Sequence, residues 1–475
     1  MFILDPDERG RLWQQVIGAI EQYASDVDQL PVSPRLDPAG LRAMLEPFDF
    51  NTPFSPQAAV DFVADGLRRY QVHVAHPRYF GLFNPAPSTM GIAADALVAA
   101  FNPQLAAWSH SPLAVEIEGH LVRAFGIRFG YDPEALDGTF TSGGAEANHT
   151  ALLAALVHVF PAMDRAGVRA LPGQPVFYAS SESHHSLLKA ARLCGLGTDA
   201  LHEIPVNDRL QMDEEALLAA IARDRAAGLL PFMVVATAGT TAAGVVDPLG
   251  SIAGIAARER LWFHVDAAWG GAAALVPEFR PLLAGIERSD SITFDAHKFL
   301  SVPMGASMIL TRHREVLDRT FRTRTGYMPR DAAGLQVVDP YAHSMQWSRR
   351  FIGLKLFLTL AVAGWEGYAQ TLRYQVAMGD RLRLQLAASG WVVVNQTPLP
   401  VVCFQDGRYD QGGSALYLAD IARSALSSGQ VWISTAQIGT LSVLRACITN
   451  YRTGPEDVDA LVRVLNEARI ALAPA

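Results

Sequence analysis

Lys298 lies in SITFDAHKFLSVPMGASMIL, residues 291–310, next to His297 and between two apolar, strand-like runs. A surface lysine needs no such setting, whereas desolvation of an amine favours its neutral form and makes it a nucleophile toward carbonyl carbon. In LWFHVDAAWGG, 32 residues upstream of the lysine, an apolar run ends on Asp266. A carboxylate at the C-terminal end of a parallel strand sits where open α/β sheets bind ligands, although a lone Asp there also reads as a helix cap. TSGGAEANHT, Thr141 to Thr150, joins a strand to a helix beginning near Ala145. Glycines at a helix N-terminus let backbone N–H groups approach an anion, which makes the segment a candidate phosphate cradle. The spacing is neither that of a P-loop nor that of a dinucleotide fingerprint, so the segment alone also reads as an ordinary glycine-rich turn. SSESHHSLLKA adds His184 and His185 at another strand-to-helix junction. Adjacent histidines diverge and no third ligand is spaced to join them, so no metal is expected. One ring of the pair can stack on a heterocycle or move a proton, and either residue can also simply start the helix.

An amine, a carboxylate, an anion-binding helix terminus and a stacking ring are together what pyridoxal 5'-phosphate requires of a protein. Lys298 would hold the aldehyde and exchange it for a substrate amine. Asp266 would keep the pyridine nitrogen protonated, because an adjacent carboxylate favours the cationic ring, which then draws in the electrons of a breaking bond at Cα.

The elements that must position these groups are legible as a change of pattern along the chain. Residues 1–90 read as helices joined by proline-rich turns, as in GRLWQQVIGAIEQYASDV and SPQAAVDFVADGLRRYQVHVAH. From about Gly91 to Leu310, short apolar or β-branched runs (PVFYAS, PFMVVATAGTT, LWFHVDAAW, SITFDAHKF, ASMILTR) alternate with helical stretches. This predicts an α/β fold with a mostly parallel sheet covered by helices on both faces, in a large domain over 91–350. Beyond Trp347 a long helix from RRFIGLK to AASG and the strands WVVVN, LPVVCFQ, VWIST and SVLRACITN predict a smaller α+β domain over 351–475.

The chain has 475 residues, half of them hydrophobic and 18% charged, with a formal charge of −8. No basic run offers a track for nucleic acid, and no apolar stretch is long enough to span a bilayer. The start, MFILDPDERGRLW, lacks a positive n-region and an apolar h-region, which predicts a cytoplasmic protein. Cys194, Cys403 and Cys447 are far apart in apolar context and read as buried thiols.

At these residues the sequence resembles the group II pyridoxal-phosphate amino-acid decarboxylases, the family of aromatic-L-amino-acid, histidine, glutamate and 2,4-diaminobutyrate decarboxylases. The resemblance rests on an ordered series, HPRYFGLF, WSHSPLAVEIE, TSGGAEAN, SESHHS, ATAGTT, HVDAAW, DAHK and RRFIGLK, and runs from about Pro77 to Arg445. It implies the aspartate-aminotransferase type of fold (fold type I) and a homodimer with active sites at the subunit interface, the N-terminal helices packing on the partner. It further implies Lys298 as the covalent lysine, Asp266 as the pyridinium partner and Ala268 beneath the ring. Gly144 and Ala145 fall on its phosphate-binding positions, Thr241 near the cofactor, His297 before the lysine, and His184 on the stacking position, with His185 one place away. Tyr327, in FRTRTGYMPR, stands where aromatic decarboxylases carry a tyrosine that returns a proton to Cα, and Arg445 resembles an arginine that meets a substrate carboxylate. Two departures stand out. Asp295 replaces a frequent Asn near the phosphate, and Ala106 and Ala107 are small where aromatic-selective members can carry bulk.

The reaction expected is α-decarboxylation of an L-amino acid, with Phe83, Trp108 and Arg445 as substrate contacts and an aromatic or bulky side chain favoured. A pyridoxal-phosphate lyase or aminotransferase on the same fold is the nearest alternative, and a non-catalytic binding protein is the alternative from another class.

Overall fold

The computed structural model describes residues 2–323, 325–326, 328, 334–409 and 413–472. Its core is a seven-stranded sheet built from β1 (Asp137–Thr141), β2 (Pro175–Ser180), β3 (Leu201–Ile204), β4 (Leu230–Thr237), β5 (Trp262–Asp266), β6 (Ser291–Asp295) and β7 (Ser307–Thr311), in the spatial order β1-β7-β6-β5-β4-β2-β3. All neighbours are parallel except for β7, which runs antiparallel to both β6 and β1. Every residue of β2, β5 and β6 is buried, as expected of strands with helices on both faces.

Side-chain alternation divides β5 between two environments. Phe263 and Val265 enter the larger apolar core, while Trp262, His264 and Asp266 face the opposite way, under the helix Gly144–Val159. That helix is rich in alanine, and Ala147, Ala151, Ala154 and Ala155 are buried. Small side chains let it lie close to the sheet, which brings a polar residue of its first turns within hydrogen-bonding reach of the strands.

A second sheet, β8 (Trp391–Val393), β9 (Val401–Asp406), β10 (Ser434–Ile438) and β11 (Leu441–Cys447), is antiparallel in the order β10-β11-β9-β8 and has its own core. Two local expectations need correction. The run VWIST does not form the strand: Trp432 leaves the sheet to bridge Tyr79, whose ring lies 5.2 Å away, and β10 begins two residues later at Ser434. The long helix begins at Leu354 and is interrupted at Gly364, where φ 64° and ψ 175° are not helical. Arg349 precedes it and pairs with the buried Glu118, whose carboxylate also accepts the N–H groups of Ile352 and Gly353. The short edge strand β3 had no distinct signal in the sequence.

Candidate active site

The C-terminal ends of β1, β4, β5 and β6 meet at one rim of the sheet, the place where open α/β sheets bind ligands. Asp266 closes β5 and Asp295 closes β6, and the strands pair so that His264 stands opposite Ser291 and Asp266 opposite Thr293. The chain turns after Asp295, and Lys298 Nζ returns to within 2.9 Å of Asp295 Oδ2. His297 lies beyond them, Nε2 3.9 Å from the same oxygen and Nδ1 3.0 Å from Ala306 O. Burial lowers the pKa of His297, so the neutral ring is favoured.

The glycine cradle sits against this pair. A Cβ on Gly144 would come 2.7 Å from Asp295 Oδ2, so only glycine allows the helix start to approach so closely. The N–H groups of Gly144 and Ala145 belong to the first turn of Gly144–Val159, whose donors have no intrahelical acceptor. On the other side of the helix start, Asp266 accepts from Asn148 Nδ2 at 2.8 Å and from its own loop through Ala268 N at 3.1 Å. Asn148 Nδ2 also donates to Ser186 Oγ at 2.9 Å, and Ser186 N donates to His184 Nδ1 at 3.2 Å. Burial lowers the pKa of His184, and its ring is also within the electrostatic influence of Asp266, Lys298 and Asp295.

The loop after β4 completes the rim. Gly239, at φ +95°, lies so close to Trp269 that a Cβ would come 2.9 Å from the indole. Thr241 is half-buried two residues further on, while Thr240 Oγ1 accepts from Val245 N and serves the turn. Trp269 stacks on Phe83, ring centres 4.5 Å apart at 18°, and the guanidinium of Arg445 lies 5.1 Å from the Phe83 ring. Arg445 is buried on β11, and its Nε and Nη2 have no hydrogen-bond partner among the described residues.

The structure therefore draws together Lys298, Asp295, His297, Gly144, Ala145, Asp266, Ala268 and His184, with Phe83 and Arg445 in a neighbouring group. Trp108 stands apart, donating from its backbone to Asp339 and from its indole to Glu116. Tyr327 lies outside the described residues. Asn148, His264, Ser291 and Thr293 were not singled out from the sequence. The three strand residues stand at alternate places in apolar runs, HVD in β5 and SIT in β6, a pattern that marks a shared face but not a site, and Asn148 on the helix had no such signal.

A lysine amine, a strand-end carboxylate, an imidazole and an open helix N-terminus make a donor set that fits pyridoxal phosphate, and the space above Gly144 is one a Cβ would fill. Fold and site thus define a pyridoxal-phosphate enzyme of fold type I. A family model for the pyridoxal-dependent decarboxylase conserved domain matches residues 56–406. The chain belongs to this family and is a pyridoxal-phosphate-dependent amino-acid decarboxylase. It is 33% identical to a tyrosine decarboxylase of Oryza sativa subsp. japonica, over 98% of this chain and 91% of the relative. It is 28% identical to an aromatic-L-amino-acid decarboxylase of Bacillus atrophaeus, over 96% and 94%. A crystal structure of Oryza sativa TDC with PLP and tryptamine superposes with a TM-score of 0.92 at 25% identity, over the full length of both chains. Among the described residues no helix is long and apolar enough to cross a membrane.

Proposed function

We infer that the chain decarboxylates an aromatic L-amino acid to its amine, as a homodimer in the cytoplasm. The observation that carries the substrate class is the buried aromatic pair of Phe83 stacked on Trp269, three residues beyond Asp266, with the Arg445 guanidinium over the Phe83 ring. Flat apolar rings suit an aromatic side chain, and a buried cation with free donors suits a carboxylate. The two relatives named above, which act on tyrosine and on aromatic L-amino acids by name, support the same class.

When bound, pyridoxal phosphate supplies an electron sink for the pair left when the bond between Cα and the carboxylate breaks. Lys298 Nζ, now paired with Asp295, would hold the cofactor and exchange it for the substrate amine. Asp266 would keep a proton on the ring nitrogen, with His184 and Ala268 beside the ring. Gly144 and Ala145 would offer their N–H groups to the phosphate, with Asp295, Thr241 and His297 nearby. Tyr327 returns a proton to Cα after carbon dioxide leaves.

The N-terminal helices Pro6–Asp26 and Pro56–Tyr70 bury none of their own side chains, and Ile20, Val63 and Leu67 lie exposed along them. This exposed apolar face supports residues 1–90 as a segment that packs on a second copy, beside a cofactor domain over 91–350 and a small domain over 351–475. Trp108 would then serve the partner's site. Sedimentation velocity should give a dimer, and a monomer that is fully active would refute that arrangement.

Arg445 also favours a second reading, in which its guanidinium takes an acidic side chain of the substrate. Steady-state kinetics on L-tyrosine, L-tryptophan, L-glutamate and L-2,4-diaminobutyrate separates the two. The aromatic reading expects kcat/KM at least about tenfold higher for an aromatic substrate. A preference for L-glutamate would overturn it.

A further inference from the structure

Behind Asp266 a line of buried hydrogen bonds runs away from the site along the sheet. Trp262 Nε1 donates to Ser291 Oγ at 2.9 Å, and Ser291 Oγ lies 2.8 Å from His264 Nδ1. His264 Nε2 lies 3.2 Å from Asn148 Oδ1, and Asn148 Nδ2 donates to Asp266 Oδ2 at 2.8 Å. All these side chains are buried.

The direction of each proton along this line is fixed by chemistry. Burial pushes the pKa of His264 down to about 4, so the ring is neutral and carries one proton. Asp266 accepts from Asn148 Nδ2 and from Ala268 N, so Asn148 turns its NH2 to the carboxylate and its Oδ1, which can only accept, to His264 Nε2. Nε2 therefore carries the ring's proton, and Ser291 Oγ, which accepts from the Trp262 indole, donates to the bare Nδ1. Thr293 Oγ1 donates to the same Asn148 oxygen at 2.7 Å from beside the line, while the NH2 of the amide faces Asp266 and Ser186.

We propose that Trp262, Ser291, His264 and Asn148 form a one-way relay of positioning residues that holds Asp266 as a hydrogen-bond acceptor and so keeps the shared proton on the cofactor's ring nitrogen. This rests on the reading of Asp266 as the partner of that nitrogen. Oδ2 of Asp266 takes the relay's N–H and Oδ1 takes that of Ala268, so the carboxylate is fixed in plane before any ligand arrives. The titratable groups that Asp266 acts on electrostatically are His184 on the open side, which also feels Lys298, Asp295 and His185, and the neutral His264 behind it.

The test compares cofactor-loaded wild type with Asn148→Leu, Ser291→Ala and Thr293→Val. Three quantities are read: the cofactor dissociation constant, the pH midpoint of its visible absorbance, and thermal unfolding of the cofactor-free chain. Asn148→Leu should weaken cofactor binding about tenfold, the equivalent of one lost hydrogen bond to a charged group, and move the absorbance midpoint. Ser291→Ala frees His264 to change tautomer and should move the midpoint the same way by less, with kcat falling more than KM rises. Thr293→Val removes an equally buried bond to Asn148 Oδ1 but leaves the relay whole, so the midpoint should stay. If Asn148→Leu does not fold, the contrast between Ser291→Ala and Thr293→Val decides alone. Equal losses of thermal stability with unmoved midpoints would reduce the line to packing and overturn the proposal. A wild type without a visible band that Lys298→Ala abolishes would instead overturn the site reading, and the relay with it.

Discussion

Asp295 is the residue whose charge most needs an account. It pairs with Lys298 and leans over Gly144, where the proposed reading puts a phosphate. Cofactor binding then breaks an ion pair and sets a carboxylate near an anion, two costs of the same sign. Asp295→Asn removes both, so the cofactor should bind several-fold more tightly, measured by fluorescence titration; weaker binding would show that the carboxylate itself holds the cofactor. Tyr327→Phe belongs to this scale too. If that hydroxyl returns the proton to Cα, its loss should cut amine formation at least about a hundredfold and let aldehyde appear among the products, read by mass spectrometry. Lys298 and Asp266 were legible as costly polar groups beside apolar runs and His184 at a strand-to-helix junction, Asp266 and His184 with an ordinary capping or helix-start reading beside it until the set was taken together. Asn148 and His264 were not. Their importance lies in the register between β5 and β6 and in the height of a helix above the sheet, which no local pattern states.

The element that matters most is the helix Gly144–Val159, which offers its N-terminus to the rim and its alanine face to the sheet. Gly144→Val puts carbon where Asp295 and the proposed phosphate must be. Cofactor affinity should fall more than about tenfold, and the cofactor-free chain should also unfold at a lower temperature, because a side chain at 144 meets the buried Asp295 carboxylate. A calorimetric scan with and without cofactor checks both. The alternation of strands and helices gave away the parallel sheet, because buried strands of Val, Ile and Phe need little context. Places where tertiary contacts override local preference stayed hidden. Trp432 is pulled from VWIST by Tyr79, and Gly364 interrupts an otherwise uniform helical pattern.

For the whole molecule, buried imidazoles link stability to pH. Burial pushes both His76 and His264 down to about 4 from an ordinary value of 6.5. As pH falls through 6.5 the unfolded chain takes up protons that the folded chain refuses, so the stability present above that pH is lost progressively toward pH 4. Each imidazole should cost about 2 kcal/mol between pH 7 and pH 5. Urea unfolding at the two pH values should show the loss, and His76→Gln should reduce it by that residue's own share, about 2 kcal/mol. A stability independent of pH in that window would mean that these rings are protonated in the fold.

The most direct test of the central account is product identification from the cofactor-loaded protein given L-tyrosine or L-tryptophan in air. Carbon dioxide and the corresponding amine in equal amounts are expected, with no activity in Lys298→Ala. A keto acid, or an aldehyde as the main product without amine, would contradict the account and assign the site a different bond-breaking step.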